Sequence, residues 1–116
     1  MDKQAFLSVK SAVKKVEIPE WNDSVYVKKF SAAERVKFLQ AAAEDGEVKA
    51  ETFIAQMVKL LQICLSDEDG VRVFDDSQED YEILNSKDSE ILENIFNEAM
   101  KFNNIGVEEE KAVIKN

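Results

Sequence analysis

The stretch Val16–Arg35 reads VEIPEWNDSVYVKKFSAAER, and it contains the signals that decide the fold. "KVEIPE" and "SVYVKKF" are short runs rich in β-branched and aromatic residues, separated by "WND". Pro19 cannot donate a hydrogen bond to a sheet, so it should end the first strand or lie on an edge. Ser31 and Glu34 in "SAAE" form a capping box. The stretch therefore predicts a β-hairpin that leads into a helix.

Two helices are predicted next. In the first, over residues 32–44, Val36, Leu39 and Ala43 repeat at helical spacing, and Gly46 in "EDG" supplies the stop. The second, over residues 49–65, has a wide apolar face and a narrow polar stripe, so most of it should be buried at the centre of the core. Its apolar residues are Phe53, Ile54, Met57, Val58, Leu60, Leu61, Cys64 and Leu65, and its polar stripe is Gln56, Lys59, Gln62 and Ser66.

The remaining chain supplies a turn, a short strand and two more helices. "SDEDG" predicts a turn, and "VRVF", residues 71–74, predicts a strand with Val71 and either Phe74 or Val73 packed inward. "DDSQEDYEIL" predicts a short helix capped by Ser77 or Asp76. Residues 87–103 form a strongly amphipathic pattern that "NNIG" ends.

The predicted fold class is α+β and mostly helical, with an N-terminal β-hairpin and a short strand packed against about four helices. At 116 residues the chain is long enough for one compact domain. We assign residues 1–106 to a single globular domain and residues 107–116 to an acidic C-terminal tail. The lone Cys64 lies in the apolar run "MVKLLQICL", which predicts a reduced, buried thiol.

The composition argues against whole classes of function. The chain contains no histidine, which removes the Ser-His-Asp and Cys-His arrangements and most zinc sites. Its three glycines lie too far apart to form a phosphate-binding loop. If Gly70 is taken as the sixth position of a calcium loop, the first ligand falls on Leu65, which supplies no oxygen. We therefore expect no enzyme activity, no cofactor and no metal site.

The negative charge lies in the second half of the chain. Residues 1–50 carry nine Lys or Arg against eight Asp or Glu, whereas residues 51–116 carry six against sixteen. A nucleic-acid binder needs a basic face, which this chain lacks. The acids form either a solvated surface or a surface for a partner with basic segments. The candidate partner-binding residues are Trp21, Asp67, Glu68, Asp75, Glu79 and Asp80.

Each candidate also has a plainer interpretation. Trp21 suits an interface anchor, but a tryptophan in such a place more often covers a small core. The acids cluster at turns and helix starts, where capping explains them. An alternative function is an acidic inhibitor that mimics nucleic acid and blocks a DNA-binding protein, although mimicry needs acids spread at phosphate-like intervals.

The order of these parts resembles the tail assembly chaperones of long-tailed bacteriophages and prophages. The resemblance rests on three stretches: "VEIPEWNDSVYVKKFSAAER", "ICLSDEDGVRVF" (residues 63–74) and "LENIFNEAMKFNNI" (residues 92–105), followed by the acidic tail. The most specific elements are a V-x-V-P-E-W-like strand, the S-V-Y-V-[KR] strand, the pair Glu34–Arg35 and an L-x-D-E-D-G-x-R-x-F turn. Ile18 stands where the pattern has valine.

The resemblance implies a binding protein without catalytic residues. It implies that the chain binds the tape measure protein, the long helical chain that sets tail length, and keeps it soluble until the tail tube assembles. It also implies a frameshifted extension that recruits the tail tube protein, and the ending "VIKN" permits the A-rich codons that slippage needs. The expected location is the host bacterial cytoplasm and not the mature virion. Homo-oligomers are possible, and neither nucleic acid nor a membrane is an expected partner.

Overall fold

The computed structural model describes residues 1–43 and 50–105. Within these residues it confirms the α+β prediction, with five α-helices, one short 3₁₀ turn and a three-stranded antiparallel sheet in the order β1-β2-β3. In chain order the elements are α1 (Lys3–Ser8), β1 (Val13–Ile18), the 3₁₀ turn (Pro19–Trp21), β2 (Asp23–Lys28), α2 (Ala32–Ala43), α3 (Ala50–Cys64), β3 (Leu65–Ser66), α4 (Gln78–Asn85) and α5 (Ser89–Phe102).

The hairpin and its helix form as predicted. β1 and β2 pair antiparallel from Val13–Lys28 to Ile18–Asp23. Pro19 ends β1 and begins the 3₁₀ turn, and Asn22 takes a left-handed conformation with φ 51°. The capping box is complete: the Ser31 amide donates to Glu34 Oε1 at 2.8 Å, and the Glu34 amide donates to Ser31 Oγ at 3.2 Å. Local signals therefore suffice to define this part of the fold.

The hydrophobic core lies between one face of the sheet and the helices α3 and α5. α3 is its centre, as the sequence predicts, and α5 packs an apolar face against both α3 and the hairpin. Burial of these side chains is the main driving force for folding. The buried residues include Val16, Ile18, Val27, Met57, Val58, Leu61, Leu92, Ile95 and Ala99.

Four residues of the apolar patterns on α2 and α3 are more exposed than a core position would be. On α2, Val36 and Leu39 are exposed, while Phe38 packs against Phe30 with ring centroids 6.3 Å apart. The inward face of α2 is set instead by Glu34 and Phe38, one helical turn apart. On α3, Phe53 and Ile54 are about two-fifths exposed. Phe53 stays at the margin of the core, in an edge-to-face contact with Phe96 at 5.9 Å.

Gln62 of α3, predicted to lie in an exposed polar stripe, is buried. Its side-chain amide donates to the carbonyl oxygens of Asp75 and Ser77 at 2.8 and 3.0 Å. Burial of an amide is tolerated when its hydrogen bonds are made. Gln62 therefore anchors the segment that follows β3.

The predicted strand at residues 71–74 is also wrong. The third strand is β3, directly after α3, and residues 71–74 contribute only a single bridge from Arg72 to Ser66. Val71 and Val73 point outward, because the inward position between them is taken by Arg72, whose Nη2 donates to the Gln62 carbonyl at 2.9 Å. Phe74 packs on the core as expected.

The last two helices agree with the predictions within about two residues. Ser77, one of the two caps considered, caps α4, and its hydroxyl accepts from the Asp80 amide at 3.1 Å. Tyr81 and Leu84 pack inward, and Asn103 and Asn104 follow the last turn of α5. The sequence reasoning missed α1, which buries no residue. Gly46, Gly106 and the tail 107–116 lie outside the described residues.

Candidate partner-binding surface

The acidic segment, which we define as residues 67–80, begins with a turn built by one carboxylate. Asp67 Oδ1 accepts hydrogen bonds from the amides of Asp69 and Val71 at 2.8 and 3.0 Å. Gly70 has φ +81°, and a Cβ there would lie 3.0 Å from the Ser11 carbonyl oxygen. The turn therefore needs Asp67 as an acceptor and Gly70 as a residue without a side chain.

Two more of the predicted acids meet around the start of α4. Asp80 Oδ2 accepts from the Asp75 amide at 2.8 Å, and Asp75 Oδ1 accepts from the Ser77 amide at 2.9 Å. Hydrogen bonds from Ser77 are the main cause that lowers the pKa of the Asp75 carboxyl. Asp75 and Asp80 thus form a capping network at the start of α4.

Asp76 joins the acidic segment to α2. Its Oδ1 accepts from Arg72 Nη2 at 2.6 Å, and its Oδ2 lies 3.6 Å from Lys37 Nζ. The Arg72 hydrogen bond is the largest of the effects that lower the pKa of the Asp76 carboxyl. Sequence reasoning did not identify the contacts of Gln62 with this segment, because its bonds to Arg72, Asp75 and Ser77 join residues ten to fifteen positions apart.

Glu68 and Glu79 are the two predicted acids whose exposed side chains cap no backbone group, although Glu79 lies in the first turn of α4. Neither side chain makes a hydrogen bond or ion pair with another residue in the described parts of the chain. Exposed charges of this kind contribute little to stability, but they add to the electrostatic potential that a partner meets. Glu68 and Glu79 are therefore the best probes of a charge-based binding role.

Trp21 lies apart from the acids. It ends the 3₁₀ turn at the hairpin tip and is 40% exposed. The turn at Gly70 instead touches Ser11, just before β1 begins. Since six strand residues span about 20 Å, Trp21 and the acidic turn lie at opposite ends of β1. The predicted site residues therefore do not form one cluster.

Exposed apolar side chains on α2 and α3 provide a candidate surface that the sequence reasoning did not identify. Helices α2 and α3 contact each other, and we use the name α2–α3 apolar surface for the exposed apolar side chains that the two helices carry. Exposed apolar side chains that occur in groups mark interaction sites more often than those scattered singly. The group consists of Val36, Leu39, Phe53 and Ile54. In the acidic segment, Val71 and Val73 are also exposed, between flanking acids.

The described residues offer neither an accessible cysteine nor a cluster of metal ligands. Cys64 is fully buried, and burial raises the pKa of its thiol to about 12, so it stays protonated. No group of three or more acidic or cysteine side chains within residues 1–43 and 50–105 is placed to hold a metal ion. Across the same residues, no helix is long and apolar enough to cross a membrane.

Sequence comparison identifies the class of protein to which this α+β fold belongs. Residues 3–112 match the family model of the phage tail assembly chaperones, so the chain belongs to that family. Its fold is similar to the structure of the bacteriophage HK97 tail assembly chaperone, with a TM-score of 0.54 and 20% sequence identity over 81% of this chain and 94% of that one. No curated protein sequence matches the chain.

Proposed function

We propose that this chaperone binds the tape measure protein of its phage or prophage and keeps it soluble during assembly of the tail tube. Membership of the tail assembly chaperone family supports a role on a tail protein. The observation that carries the specific proposal is the α2–α3 apolar surface, whose four apolar side chains are between about two-fifths and one-half exposed. A long helical partner can cover such side chains with its own apolar face.

The apolar contact supplies most of the affinity in this proposal. Val36 and Leu39 are three residues apart, so they are neighbours on one side of α2. Covering exposed apolar side chains is favourable at about 25 cal/mol per Å² of area removed from water. The chaperone would therefore hold the partner by the apolar stripes that otherwise cause aggregation.

The acidic segment increases the rate of association with the partner and the solubility of the protein. The acidic segment together with the residues that follow it, 67–93, contains eleven Asp or Glu and only two basic residues, Arg72 and Lys87. A negative potential of this kind speeds the encounter with basic segments of a partner and contributes less once the complex has formed. We assign this role to Glu68 and Glu79, with Asp67, Asp75 and Asp80 adding charge while they cap the backbone.

Co-expression tests the proposal. Tape measure fragments should remain soluble with the wild-type chain and precipitate with the double variant Val36→Gln/Leu39→Gln, because the holding surface is lost. Ile83→Gln on α4 is a matched control, since Ile83 is as exposed as Leu39, at 45% against 44%. Equal solubility with all three chains would remove the α2–α3 apolar surface from the mechanism.

We also propose that a frameshifted longer form recruits the tail tube protein. The gene should contain a slippery heptamer near its stop codon and an open overlapping frame. A tube-protein gene upstream and a very long tape measure gene downstream would support both partner assignments. A single uninterrupted frame with neither neighbour would contradict them.

The proposed location is the host bacterial cytoplasm, with the chaperone released before the virion is complete. Mass spectrometry of purified virions should detect the tube and tape measure proteins and no peptide of this chain. Light scattering of the purified chain checks for homo-oligomers.

A further inference from the structure

β1 is an edge strand whose outward main-chain groups form a regular row. In an antiparallel pair, every second residue of β1 exchanges main-chain hydrogen bonds with β2. The Lys29 amide donates to the Ala12 carbonyl oxygen at 2.9 Å, so Ala12 and every second residue after it face β2. The N–H and C=O groups of Val13, Lys15 and Glu17 therefore point away from β2. Among the described residues, no strand pairs with this side of β1.

α5 extends beneath this edge and makes it one wall of a groove. The groove has a volume of about 390 Å³ and is lined by Lys15, Val16, Glu17, Asn94, Asn97, Glu98 and Lys101. The four α5 residues are spaced i, i+3, i+4 and i+7, so they form one stripe along the helix. The stripe is about 10 Å long, which matches about three residues of an extended chain.

The charges of the groove are already paired with each other. Lys14 Nζ lies 2.6 Å from Glu98 Oε2, and Lys101 Nζ lies 4.0 Å from Glu98 Oε1. Lys15 Nζ lies 3.6 Å from Glu17 Oε1. The charged lining residues Lys15, Lys101, Glu17 and Glu98 sum to zero, Lys14 beside them adds one positive charge, and each acid already has a basic neighbour. The groove therefore selects neither a strongly basic nor a strongly acidic ligand.

The groups that remain for a ligand are amides. Asn94 and Asn97 are exposed, and their side chains bond no other residue in the described ranges. Side-chain amides and strand main-chain groups both donate and accept, which is the pattern of another polypeptide main chain. A ligand recognised in this way needs an accessible backbone and no particular charge.

We propose that the groove between β1 and α5 binds an extended, uncharged segment of a partner protein, which adds to the sheet as a fourth strand beside β1. Main-chain bonds to Val13, Lys15 and Glu17 provide affinity, as in other cases of strand addition. Asn94 and Asn97 contact the segment from below. This site is separate from the α2–α3 apolar surface and takes an extended rather than a helical partner.

A second copy of this chain fits the groove less well. Two β1 strands paired antiparallel about a twofold axis normal to the sheet would carry both α5 helices on the same face. Neighbouring strands lie about 4.8 Å apart, whereas a helix with its side chains is about 10 Å wide. Because α5 already extends beneath the vacant strand position, the two helices would collide.

Peptide selection tests the proposal. A displayed library of random octapeptides is selected on the full chain, and the enriched peptides are synthesised. Uncharged peptides should bind and protect the amides of Val13, Lys15 and Glu17 from hydrogen exchange, with shifts in the Asn94 and Asn97 side-chain NMR signals. Failure to enrich any peptide that perturbs these five residues would overturn the proposal.

Two variants of Lys15 distinguish peptide binding through the main chain from peptide binding through the side chain. Lys15→Pro removes an outward N–H that β2 does not use, and it should weaken peptide binding about tenfold or more, as the loss of a main-chain hydrogen bond requires. Lys15→Ala keeps the N–H and should bind within about threefold of the wild type. Equal weakening by both variants would contradict strand addition.

A variant of α5 keeps the test decisive if Lys15→Pro does not fold. Asn94→Ala/Asn97→Ala changes only exposed side chains, so it should fold normally and weaken the peptide severalfold. Unchanged binding to this variant would remove α5 from the site. A concentration-dependent dimer that protects the same β1 amides without peptide would show that a second copy is the occupant and would overturn the proposal.

Discussion

Two regions of the molecule contain charged residues with different roles. One is the acidic segment, and the other is the joint at which the hairpin meets α2. At the joint, Lys28 is only 6% exposed, and its Nζ lies 2.5 Å from Glu34 Oε1. In the acidic segment, Glu68 and Glu79 are exposed and make no ion pair with the described residues. Charge at the joint therefore holds the fold together, and charge at Glu68 and Glu79 is left for the surroundings.

The comparison shows that burial and hydrogen bonding, not the number of charges, decide what a charged residue does. Burial acting alone would raise the pKa of the Glu34 carboxyl, but hydrogen bonds from Lys28 and Ser31 outweigh it and hold that pKa below its ordinary value. Removal of one partner there leaves a buried charge unpaired, whereas removal of an exposed charge leaves only water.

The largest effect is expected for Glu34→Gln. Glutamine still completes the capping box, but the buried Lys28 ammonium loses its counter-charge, which should lower the free energy of unfolding by about 2–4 kcal/mol. Chemical denaturation at pH 7 measures the loss. Glu79→Gln is the matched control and should change the stability by less than about 0.5 kcal/mol. Similar losses in both variants would contradict the conclusion that buried and exposed charges contribute differently to stability.

Acidification should reduce the difference in stability between the wild type and Glu34→Gln. The folded-state pKa of Glu34 is lowered, so its contribution is fully present above the ordinary value of 4.5 and is lost as the pH falls through the folded value. Wild type and Glu34→Gln should therefore converge in stability below about pH 4.5. A constant gap down to about pH 3 would show that the ion pair is not its cause.

A smaller loss is expected for Asn103→Ala, which tests the other end of the joint. The Asn103 side chain accepts from the Phe30 amide at 2.7 Å and donates to the Lys28 carbonyl at 3.2 Å, so it continues the hydrogen bonding of β2. Its removal leaves two main-chain groups unsatisfied and should cost about 1–3 kcal/mol. Asn104→Gly, at the adjacent left-handed residue, should not destabilise the chain.

Features that depend on residues close together in the sequence, such as helix caps and the end of β1, can be predicted from the sequence. Pro19, the Ser31–Glu34 capping box and the Ser77 cap are short-range signals, and the structure confirms each. The orientation of residues 71–73 could not be predicted, because the position of Arg72 depends on the Gln62 carbonyl ten residues away.

The same reasoning explains the exposed apolar residues of α2 and α3. Periodicity shows that a helix is amphipathic, but not how far each turn reaches into the core. Val36 and Leu39 belong to the apolar repeat of α2, and Phe53 and Ile54 belong to the apolar face of α3, but their spacing does not show how exposed they are. The candidate surface therefore comes from residues whose apolar character was recognised but whose exposure was not.

The smallest effect on stability is expected for Glu68→Gln/Glu79→Gln, which should fold as stably as the wild type within about 0.5 kcal/mol. Its association with a tape measure fragment should nevertheless slow severalfold at low salt, while its dissociation changes less. Stopped-flow fluorescence from about 50 to 500 mM salt should show the difference disappearing as screening increases. Equal association rates at low salt would make the acidic segment a solubility feature only.

The most direct test of the central claim measures the binding kinetics of a tape measure fragment to the wild type and to Val36→Gln/Leu39→Gln. If the α2–α3 apolar surface holds the partner, the double variant should dissociate at least about tenfold faster, while its association rate stays within about threefold of the wild type. Ile83→Gln should match the wild type in both rates. Unchanged dissociation of the double variant, or no binding of the wild-type chain to any fragment, would contradict the account.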